Sequence, residues 1–222
     1  HDPELIPYAL KLKYMGKKVI FDSHEDVPND IKNKSYLNPL VKSFLFGSYK
    51  IFEYIFIGKF DAVITVTPHI LSKLKKLNSN THQITNYPLI DNENEPTQNN
   101  EKFDVPTLFF AGGVTDLWMH ENIIKALDKI DFEIKYIIAG NSTESYLSEL
   151  KKINSWKKCE YLGAIPYSLV QDYYSKAHVG LALLKYPKDD KDRLGTLGNT
   201  KLFEIMLAGL PVICTDFILW KQ

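Results

Sequence analysis

Residues 199–204, Asn-Thr-Lys-Leu-Phe-Glu, place three kinds of chemical group at the start of a predicted helix. The free N–H groups of a helix start attract phosphate, and Lys201 adds a positive charge beside them. Asn199 or Thr200 can cap the helix by accepting a hydrogen bond from one of these N–H groups. Glu204 lies about one turn further on, where its carboxylate could accept hydrogen bonds from sugar hydroxyls. The commoner role of such a glutamate is to complement the helix dipole in solvent.

The surrounding sequence predicts a short helix followed by a buried strand, which would position these groups. Apolar residues recur at helical spacing over residues 202–210, so one helix face can pack against a core. Gly209 can adopt the left-handed conformation that ends a helix, and Pro211 prevents its continuation. Residues 212–214, Val-Ile-Cys, then predict the strand.

The run from residue 201 to 213, Lys-Leu-Phe-Glu-Ile-Met-Leu-Ala-Gly-Leu-Pro-Val-Ile, resembles the nucleotide-sugar segment of glycosyltransferase family 4. These are the retaining group 1 enzymes of GT-B fold. The resemblance implies that Glu204 binds the ribose of a nucleotide, and that the helix start, with Asn199, Thr200 and Lys201, holds the diphosphate. The implied activity moves a sugar from a nucleoside-diphosphate sugar to a saccharide or lipid-linked acceptor, as bacterial capsule and surface polysaccharide synthesis requires.

A polar cluster at residues 22–26, Asp-Ser-His-Glu-Asp, follows a predicted strand at residues 18–21. Ligands bind α/β folds at the carboxyl ends of such strands. The cluster, together with the His-Asp-Pro-Glu that opens the chain, resembles the acceptor-side domain of the same family. That domain places a histidine near the donor sugar, which makes His24 the candidate catalytic residue. The alternative is a histidine that caps a helix or braces a loop.

A glycine pair follows another predicted strand, at residues 107–110. Gly112 and Gly113 precede a predicted helix at residues 121–130, and glycines in such a turn permit close approach of the backbone to phosphate. Both are therefore candidate nucleotide-sugar-binding residues. The pair is not the full Gly-x-Gly-x-x-Gly fingerprint, and a tight strand–helix turn is its simpler explanation when taken alone.

Predicted strands and helices alternate along the chain, as in the strand at residues 135–139 and the helix at residues 144–154. This alternation favours an α/β fold with two Rossmann-like, doubly wound parallel-sheet domains. Residues 1–90 would form the second half of an N-terminal acceptor-side domain, so that domain would be partial. Residues 91–104 are polar and acidic, which is typical of a linker. Residues 105–222 would form the C-terminal nucleotide-sugar-binding domain. By comparison with the GT-B pattern of the family, we expect this chain to be a fragment that lacks both ends.

The predicted helix over residues 38–60 is rich in aromatic side chains and contains Lys42, Lys50 and Lys59. A basic, aromatic helix can lie in a membrane interface. Packing of the aromatic stripe against a sheet is the commoner arrangement. Peripheral membrane contact therefore remains an open prediction, whereas no run reaches the ~18 apolar residues of a membrane span.

Composition and charge narrow the set of partners. The 27 basic and 27 acidic residues give a net charge of zero, so no global field attracts nucleic acid. Cys159 and Cys214 lie in strand-like segments, which indicates a reducing compartment rather than a disulfide framework. Arg193 is the only arginine, so phosphate binding must use lysine or backbone N–H groups. We expect a cytoplasmic protein, with the inner face of the membrane as its peripheral alternative.

One acidic motif raises the question of a bound metal ion. Asp190-Lys-Asp192 has the Asp-x-Asp form of metal-dependent GT-A transferases, but the surrounding pattern is that of GT-B. We therefore expect no metal, and no cofactor besides the donor substrate.

The sequence departs from the family pattern at two places. Thr196 stands where the family often has a first glutamate, and residues 117–119 stand where it often has a basic pair. These departures favour, as the alternative, a non-catalytic nucleotide-sugar-binding or assembly module of GT-B fold; a GT-B epimerase or other phosphosugar enzyme is a third hypothesis.

Overall fold

The computed structural model describes residues 3–24, 26–33, 37–88, 101–186, 195 and 199–221. The chain divides into two compact units, His1–Asn86 (unit 1) and Tyr87–Gln222 (unit 2). Each unit contains one sheet whose strands are all parallel. The predicted α/β class, with two parallel sheets, is confirmed.

Unit 1 is built on a three-stranded sheet in the order β1-β2-β3. Its elements in chain order are α1 (Ile6–Tyr14), β1 (Ile20–Ser23), α2 (Val27–Asn33), α3 (Pro39–Phe56), β2 (Ala62–Thr65), α4 (Pro68–Leu74) and β3 (Thr81–Gln83). One apolar cluster, which includes Phe21, Val63 and Leu74, joins the sheet to its helices. Phe21 stacks on Phe60 with ring centroids 5.4 Å apart.

The first strand of unit 1 differs from its prediction. Pairing begins with Ile20 opposite Ala62, not at residue 18, because the partner strand starts only at Ala62. The strand ends at Ser23. Asp22 and Ser23 therefore lie inside β1, whereas the sequence prediction placed them in the loop that follows.

Two short elements of unit 1 were missed by the sequence analysis. α2, Val-Pro-Asn-Asp-Ile-Lys-Asn, has too few apolar residues to show helical periodicity. β3, Thr-His-Gln, is identified only by its parallel pairing with β2. Both depend on neighbouring elements rather than on a pattern of their own.

α3 has one packed face and one exposed face. Phe52 and Phe56 pack against the unit 1 core, whereas Phe44 and Tyr54 are 73% and 74% exposed. Only part of the aromatic stripe therefore packs as expected. Among the described residues, no helix combines the length and apolarity needed to cross a bilayer.

Unit 2 contains a five-stranded sheet in the order β6-β5-β4-β7-β8. Its elements in chain order are β4 (Thr107–Ala111), α5 (His120–Leu127), β5 (Lys135–Ala139), α6 (Glu144–Lys151), β6 (Cys159–Gly163), α7 (Tyr167–Lys176), β7 (Val179–Ala182), α8 (Thr200–Leu207) and β8 (Val212–Cys214). A single-turn 3-10 helix at Asp116–Trp118 precedes α5, and a longer one at Asn154–Lys158 precedes β6.

Helices cover both faces of this sheet. Phe109 packs with residues of α7 and α8 in one apolar cluster, and Phe110 packs with residues of α5 and α6 in the other. Successive strand residues face opposite sides of a sheet, which explains why these neighbours enter different clusters. Unit 2 is doubly wound, as predicted.

The predicted limits of the unit 2 elements hold best for strands. β5 spans the predicted residues 135–139. The helices end earlier than predicted, α5 at Leu127 and α6 at Lys151. Of the predicted linker at residues 91–104, residues 91–100 lie outside the described residues, and residues 101–104 form neither helix nor strand.

Candidate functional site

The order of strands in unit 2 creates a switch point beside its central strand. From β4 the chain proceeds outward through β5 and β6, and it then returns to the other side of β4 to form β7 and β8. Connections that diverge in this way leave a crevice at the carboxyl ends of the strands, where open α/β sheets bind ligands. The candidate residues of unit 2 belong to loops and helix starts at this edge.

The turn after β4 is in close contact with the loop after β5. The N–H of Gly112 donates to the carbonyl of Ala139 at 2.9 Å. Gly112 and Gly140 have φ angles of +146° and +137°, which favour glycine. A Cβ on Gly140 would lie only 1.7 Å from the Gly112 carbonyl oxygen, whereas a Cβ on Gly113 would meet nothing within 4 Å. The backbone thus requires glycine at positions 112 and 140.

The start of α8 is capped as predicted, and Asn199 is the capping residue. Its Oδ1 accepts a hydrogen bond from the backbone N–H of Lys201 at 3.2 Å. Thr200 is the first residue of the helix and is exposed. Gly209, with a φ of +66°, follows the end of the helix, in agreement with its predicted role.

Lys201 is buried, and its ammonium group contacts the turn after β4. The group donates a hydrogen bond to the Ala111 carbonyl. It also lies 4.5 Å from the ring centroid of Phe110 and 4.7 Å from that of Trp118, so it makes two cation–π contacts. Burial lowers the pKa of Lys201 to about 8, against an opposing effect of Glu204. Trp118, which stands where the family pattern often has a basic pair, here forms one wall around this lysine.

Glu204 is half-buried, and two groups favour its charged form. Burial raises the pKa of its carboxyl group, while the positive charge of Lys201 and the neighbouring Tyr167 hydroxyl lower it. Sequence reasoning did not single out Tyr167 as a site residue. The available signal was its place at the start of the helix that follows β6, because that strand ends at the same edge of the sheet.

These residues line a cleft of about 420 Å³. Small-molecule sites in proteins commonly measure roughly 300–1,000 Å³, so the volume suits an organic ligand. The cleft brings together five of the predicted site residues, which are Gly112, Gly113, Thr200, Lys201 and Glu204. Asn199 is not among its lining residues and acts through the helix that it caps.

His24 belongs to unit 1 and follows β1 directly. Its imidazole is exposed, and Nε2 lies 2.8 Å from Oδ2 of Asp22. Such a hydrogen bond orients the ring and biases which nitrogen bears the proton. Both predicted roles of His24, contact with a donor sugar and bracing of a loop, require an oriented ring.

The described residues contain no group of three or more His, Cys, Asp or Glu side chains arranged to hold a metal ion. Asp190 and Asp192 of the Asp-x-Asp sequence lie outside the described residues, as do Arg193 and Thr196. Cys159 is a free thiol whose pKa is raised to about 12 by burial. This thiol therefore stays protonated near neutral pH and does not supply a nucleophile.

The buried imidazole of His120 supports the aromatic wall around Lys201. Its Nδ1 lies 2.8 Å from the Tyr136 hydroxyl, and its ring meets Phe110 edge-on with centroids 4.6 Å apart. Burial, with a smaller effect from the Lys201 charge, lowers the pKa of His120 to about 4. The ring is therefore neutral at pH 7.

We expect acidification to destabilise unit 2 through His120. The unfolded ring gains its proton near pH 6.5, but the folded ring gains it only near pH 4. The unfolded state therefore binds more protons within this window, and the free energy of unfolding falls as the pH decreases, by about 1.4 kcal/mol per pH unit. Urea unfolding at pH 7 and pH 5 measures the loss. His120→Asn, which does not titrate, is the control, and an equal loss in both proteins would contradict the prediction.

Comparison with known protein families identifies one match. The model for the family described as "Glycosyl transferases group 1" matches residues 91–219. No curated protein matches the sequence.

Solved structures with a similar fold include proteins bound to uridine nucleotides. HepE of Anabaena in complex with UDP-glucose has a TM-score of 0.62 at 12% identity, over 96% of this chain and 57% of that one. Sucrose-phosphate synthase of Thermosynechococcus elongatus has a TM-score of 0.56 at 18% identity, over 89% of this chain and 50% of that one. The pneumococcal O-GlcNAc transferase GtfA, in complex with UDP and GlcNAc, has a TM-score of 0.52 at 18% identity, over 77% of this chain and 33% of that one. At such identities the likeness shows the fold alone, and this chain spans little more than half the length of HepE.

Proposed function

We propose that this chain, which belongs to the group 1 glycosyl transferases, binds a nucleoside-diphosphate sugar in the cleft of unit 2 and takes part in transfer of its sugar. The main support is the composition of that cleft. A glycine turn, the start of a capped helix and the carboxylate of Glu204 meet at the switch point of a parallel sheet. This combination offers separate groups for a diphosphate and for a ribose.

In the proposed reaction, the protein mainly positions the donor and stabilises the leaving diphosphate. The positive end of α8 faces the phosphates, and the buried charge of Lys201 adds to its potential from behind Gly112. Glu204 accepts hydrogen bonds from the ribose hydroxyls. His24 has the role that the sequence resemblance implies, which is contact with the donor sugar.

Titration calorimetry with UDP, GDP, ADP and CMP tests the donor site. UDP is the first probe, because the HepE and GtfA structures contain it or its sugar conjugate. We expect one of the diphosphates to bind with a dissociation constant below 1 mM, which corresponds to more than about 4 kcal/mol of binding free energy. If none of the four binds at millimolar concentration, the proposed donor site is wrong.

A second candidate function is a nucleotide-sugar-binding module without catalytic activity. The specific observation in its favour is the position of Lys201, whose ammonium is already bonded to Ala111 and enclosed by two aromatic rings. Binding without donor hydrolysis or sugar transfer would support this alternative. Formation of an altered nucleotide sugar, seen by product analysis, would instead indicate an epimerase.

We further propose that the transfer is retaining, requires neither a metal ion nor a cofactor, and serves bacterial surface polysaccharide synthesis in the cytoplasm. These details rest on the sequence resemblance, and the acceptor would be a saccharide or a lipid-linked saccharide. The anomeric configuration of the product tests retention. Activity that persists in EDTA and does not rise with added Mg²⁺ or Mn²⁺ would support metal independence.

Peripheral membrane contact through α3 is also part of the proposal. One side of this helix presents an apolar stripe with high exposure, which includes Leu40 (82%), Phe44 (73%), Ile51 (63%) and Tyr54 (74%). An exposed apolar stripe on a helix, with lysines such as Lys50 beside it, suits an interface that contains anionic lipids. A lipid-linked acceptor would lie at such an interface.

We expect Ile51→Asp to weaken association with vesicles of phosphatidylcholine and phosphatidylglycerol. The substitution places a charge in the apolar stripe, where burial in the lipid interface would cost free energy. Flotation with vesicles measures the bound fraction. Ser148→Asp adds the same charge at an exposed position of α6, a helix of unit 2, and is the control. Absence of binding by the unaltered chain, or equal loss in both variants, would contradict membrane contact through this face.

A further inference from the structure

One aromatic residue near the cleft has a role beyond those assigned above. We infer that Trp118 is a positioning residue, which holds the Lys201 ammonium group against the Ala111 carbonyl and thereby fixes the spacing between the glycine turn after β4 and the start of α8. This inference rests on the proposed function only in so far as a nucleotide uses both segments. The link between the segments can be tested without a nucleotide.

Lys201 connects two segments that lie far apart in the sequence. It belongs to the first turn of α8, and its ammonium group donates to the carbonyl of Ala111, 90 residues earlier at the end of β4. A Cβ on Gly112 would collide with this ammonium group, so the group lies directly against the turn. Gly112, Gly113 and Thr200 all line the cleft. A single side chain therefore joins two backbone segments that would present N–H groups to a diphosphate.

Aromatic rings stabilise the Lys201 ammonium group in this position. The group lies 4.7 Å from the ring centroid of Trp118 and 4.5 Å from that of Phe110. A cation–π contact is stronger where the cation is removed from water, and Lys201 is only 8% exposed. Its pKa of about 8 leaves the group mostly charged at pH 7, as the contact requires. The two rings therefore offset part of the free-energy cost of burying this charge.

The turn that carries Trp118 is itself fixed by its surroundings. Trp118 ends a single-turn 3-10 helix, and Met119 after it has a left-handed φ of +54°. Such a conformation is costly for a residue with a side chain and persists where surrounding contacts impose it. The Leu117 carbonyl accepts a hydrogen bond from the Lys185 N–H at 2.9 Å. The Trp118 ring also meets Phe110 edge-on, with centroids 5.4 Å apart, so it is held by contacts other than the one with the ammonium group.

Trp118 can affect nucleotide binding by only a few routes. It is not among the described residues that line the cleft, so the inference assigns it no direct contact with the nucleotide. The remaining routes are the Lys201 ammonium group and the general stability of unit 2. Trp156 separates these two routes, because it packs against the same apolar cluster as Trp118 and is likewise absent from the cleft lining.

Trp118→Leu tests the inference, since leucine is apolar but has no aromatic face. We expect the affinity for the nucleotide that binds the unaltered chain to fall by about three- to tenfold at pH 7. Trp118→Phe, which keeps a ring, should retain most of the affinity. Trp156→Leu is the control and should leave the affinity unchanged. A loss of the same size in Trp156→Leu would overturn the inference, because general destabilisation would then explain both losses.

A double-mutant cycle with Lys201→Met shows whether Trp118 acts through the ammonium group. Methionine keeps an unbranched apolar side chain at this position and removes the charge. If Trp118 acts through that charge, Trp118→Leu has no further effect on affinity once Lys201→Met is present. Equal effects of Trp118→Leu with and without the charge would overturn the positioning role.

Hydrogen exchange at the Gly112 amide, followed by NMR, distinguishes failure of the inference from failure of the proposed function. This N–H donates to the Ala139 carbonyl at 2.9 Å, so its exchange reports opening of the turn. We expect exchange to be about three- to tenfold faster in Trp118→Leu and in Lys201→Met, but not in Trp156→Leu. An unchanged rate in Trp118→Leu overturns the inference, whatever the nucleotide titrations show. If the rate rises but none of the four nucleotides binds, the proposed function fails and the link between the two segments stands.

Discussion

Replacing Gly140 with alanine is expected to destabilise unit 2 by about 3 kcal/mol or more. The added Cβ would lie 1.7 Å from the Gly112 carbonyl oxygen, and a backbone atom cannot move aside without disturbing the turn after β4. The φ angle of +137° at Gly140 adds backbone strain for any residue with a side chain. Thermal and urea unfolding, followed by circular dichroism, would measure the loss. We expect nucleotide affinity to fall as well, because the displaced turn lines the cleft.

Gly113→Ala is the matched control for this prediction. Gly113 lies next to Gly112 in the same turn, but a Cβ there would meet nothing within 4 Å. Its φ angle is not among the positive values. We therefore expect a change within about 1 kcal/mol. Similar unfolding free energies for the two variants would show that contact between the two loops is not a constraint on the fold.

Replacing Glu204 with alanine is expected to weaken nucleotide binding by about 1–3 kcal/mol, or roughly five- to 150-fold in the dissociation constant. The reason is the loss of a charged acceptor for the ribose hydroxyls. Calorimetry with the diphosphate that binds the unaltered chain would measure it. Analogues without the 2′- or 3′-hydroxyl should lose affinity for the unaltered chain but little more for the variant.

The change of nucleotide affinity at acidic pH gives a second measurement for Glu204. Burial raises the pKa of this carboxyl group, so it gains its proton at a higher pH than an ordinary glutamate. Affinity should therefore fall with decreasing pH through that raised pKa, and Glu204→Ala should remove this dependence. Glu149→Ala, which removes an exposed carboxylate paired with Lys152 in the same unit, is the control. Loss of affinity in both variants would argue against a specific ribose contact.

The sequence was sufficient for elements whose pattern is local. The apolar run at residues 135–139 predicts a strand with the correct limits, and Asn199 with Gly209 marks the two ends of α8. By contrast, the limits of β1 depend on where β2 begins, and this information lies some distance along the chain. The local pattern therefore predicted whether each longer element is a helix or a strand better than it predicted the first and last residues of that element.

The environment of each site residue could not be derived in the same way. Lys201 was predicted to neutralise a diphosphate from its position at a helix start. Its contacts with Phe110 and Trp118 depend on segments that only the folded sheet brings to it. The same holds for Tyr167, which lines the cleft together with Glu204 although the two belong to different helices. The types and spacing of the residues pointed to several side chains that line the cleft. Only the folded structure shows which other side chains surround each of them.

The central position of β4 has a consequence for synthesis of the chain. β4 is the first strand of unit 2 to leave the ribosome, yet one of its neighbours, β7, begins only at Val179. Until then, a nascent sheet of β4, β5 and β6 would expose the unpaired edge of β4, and such edges attract other chains. Slow translation before residue 179 would prolong this exposure. Recombinant yield should therefore depend on the rate of synthesis and on chaperones that cover strand edges.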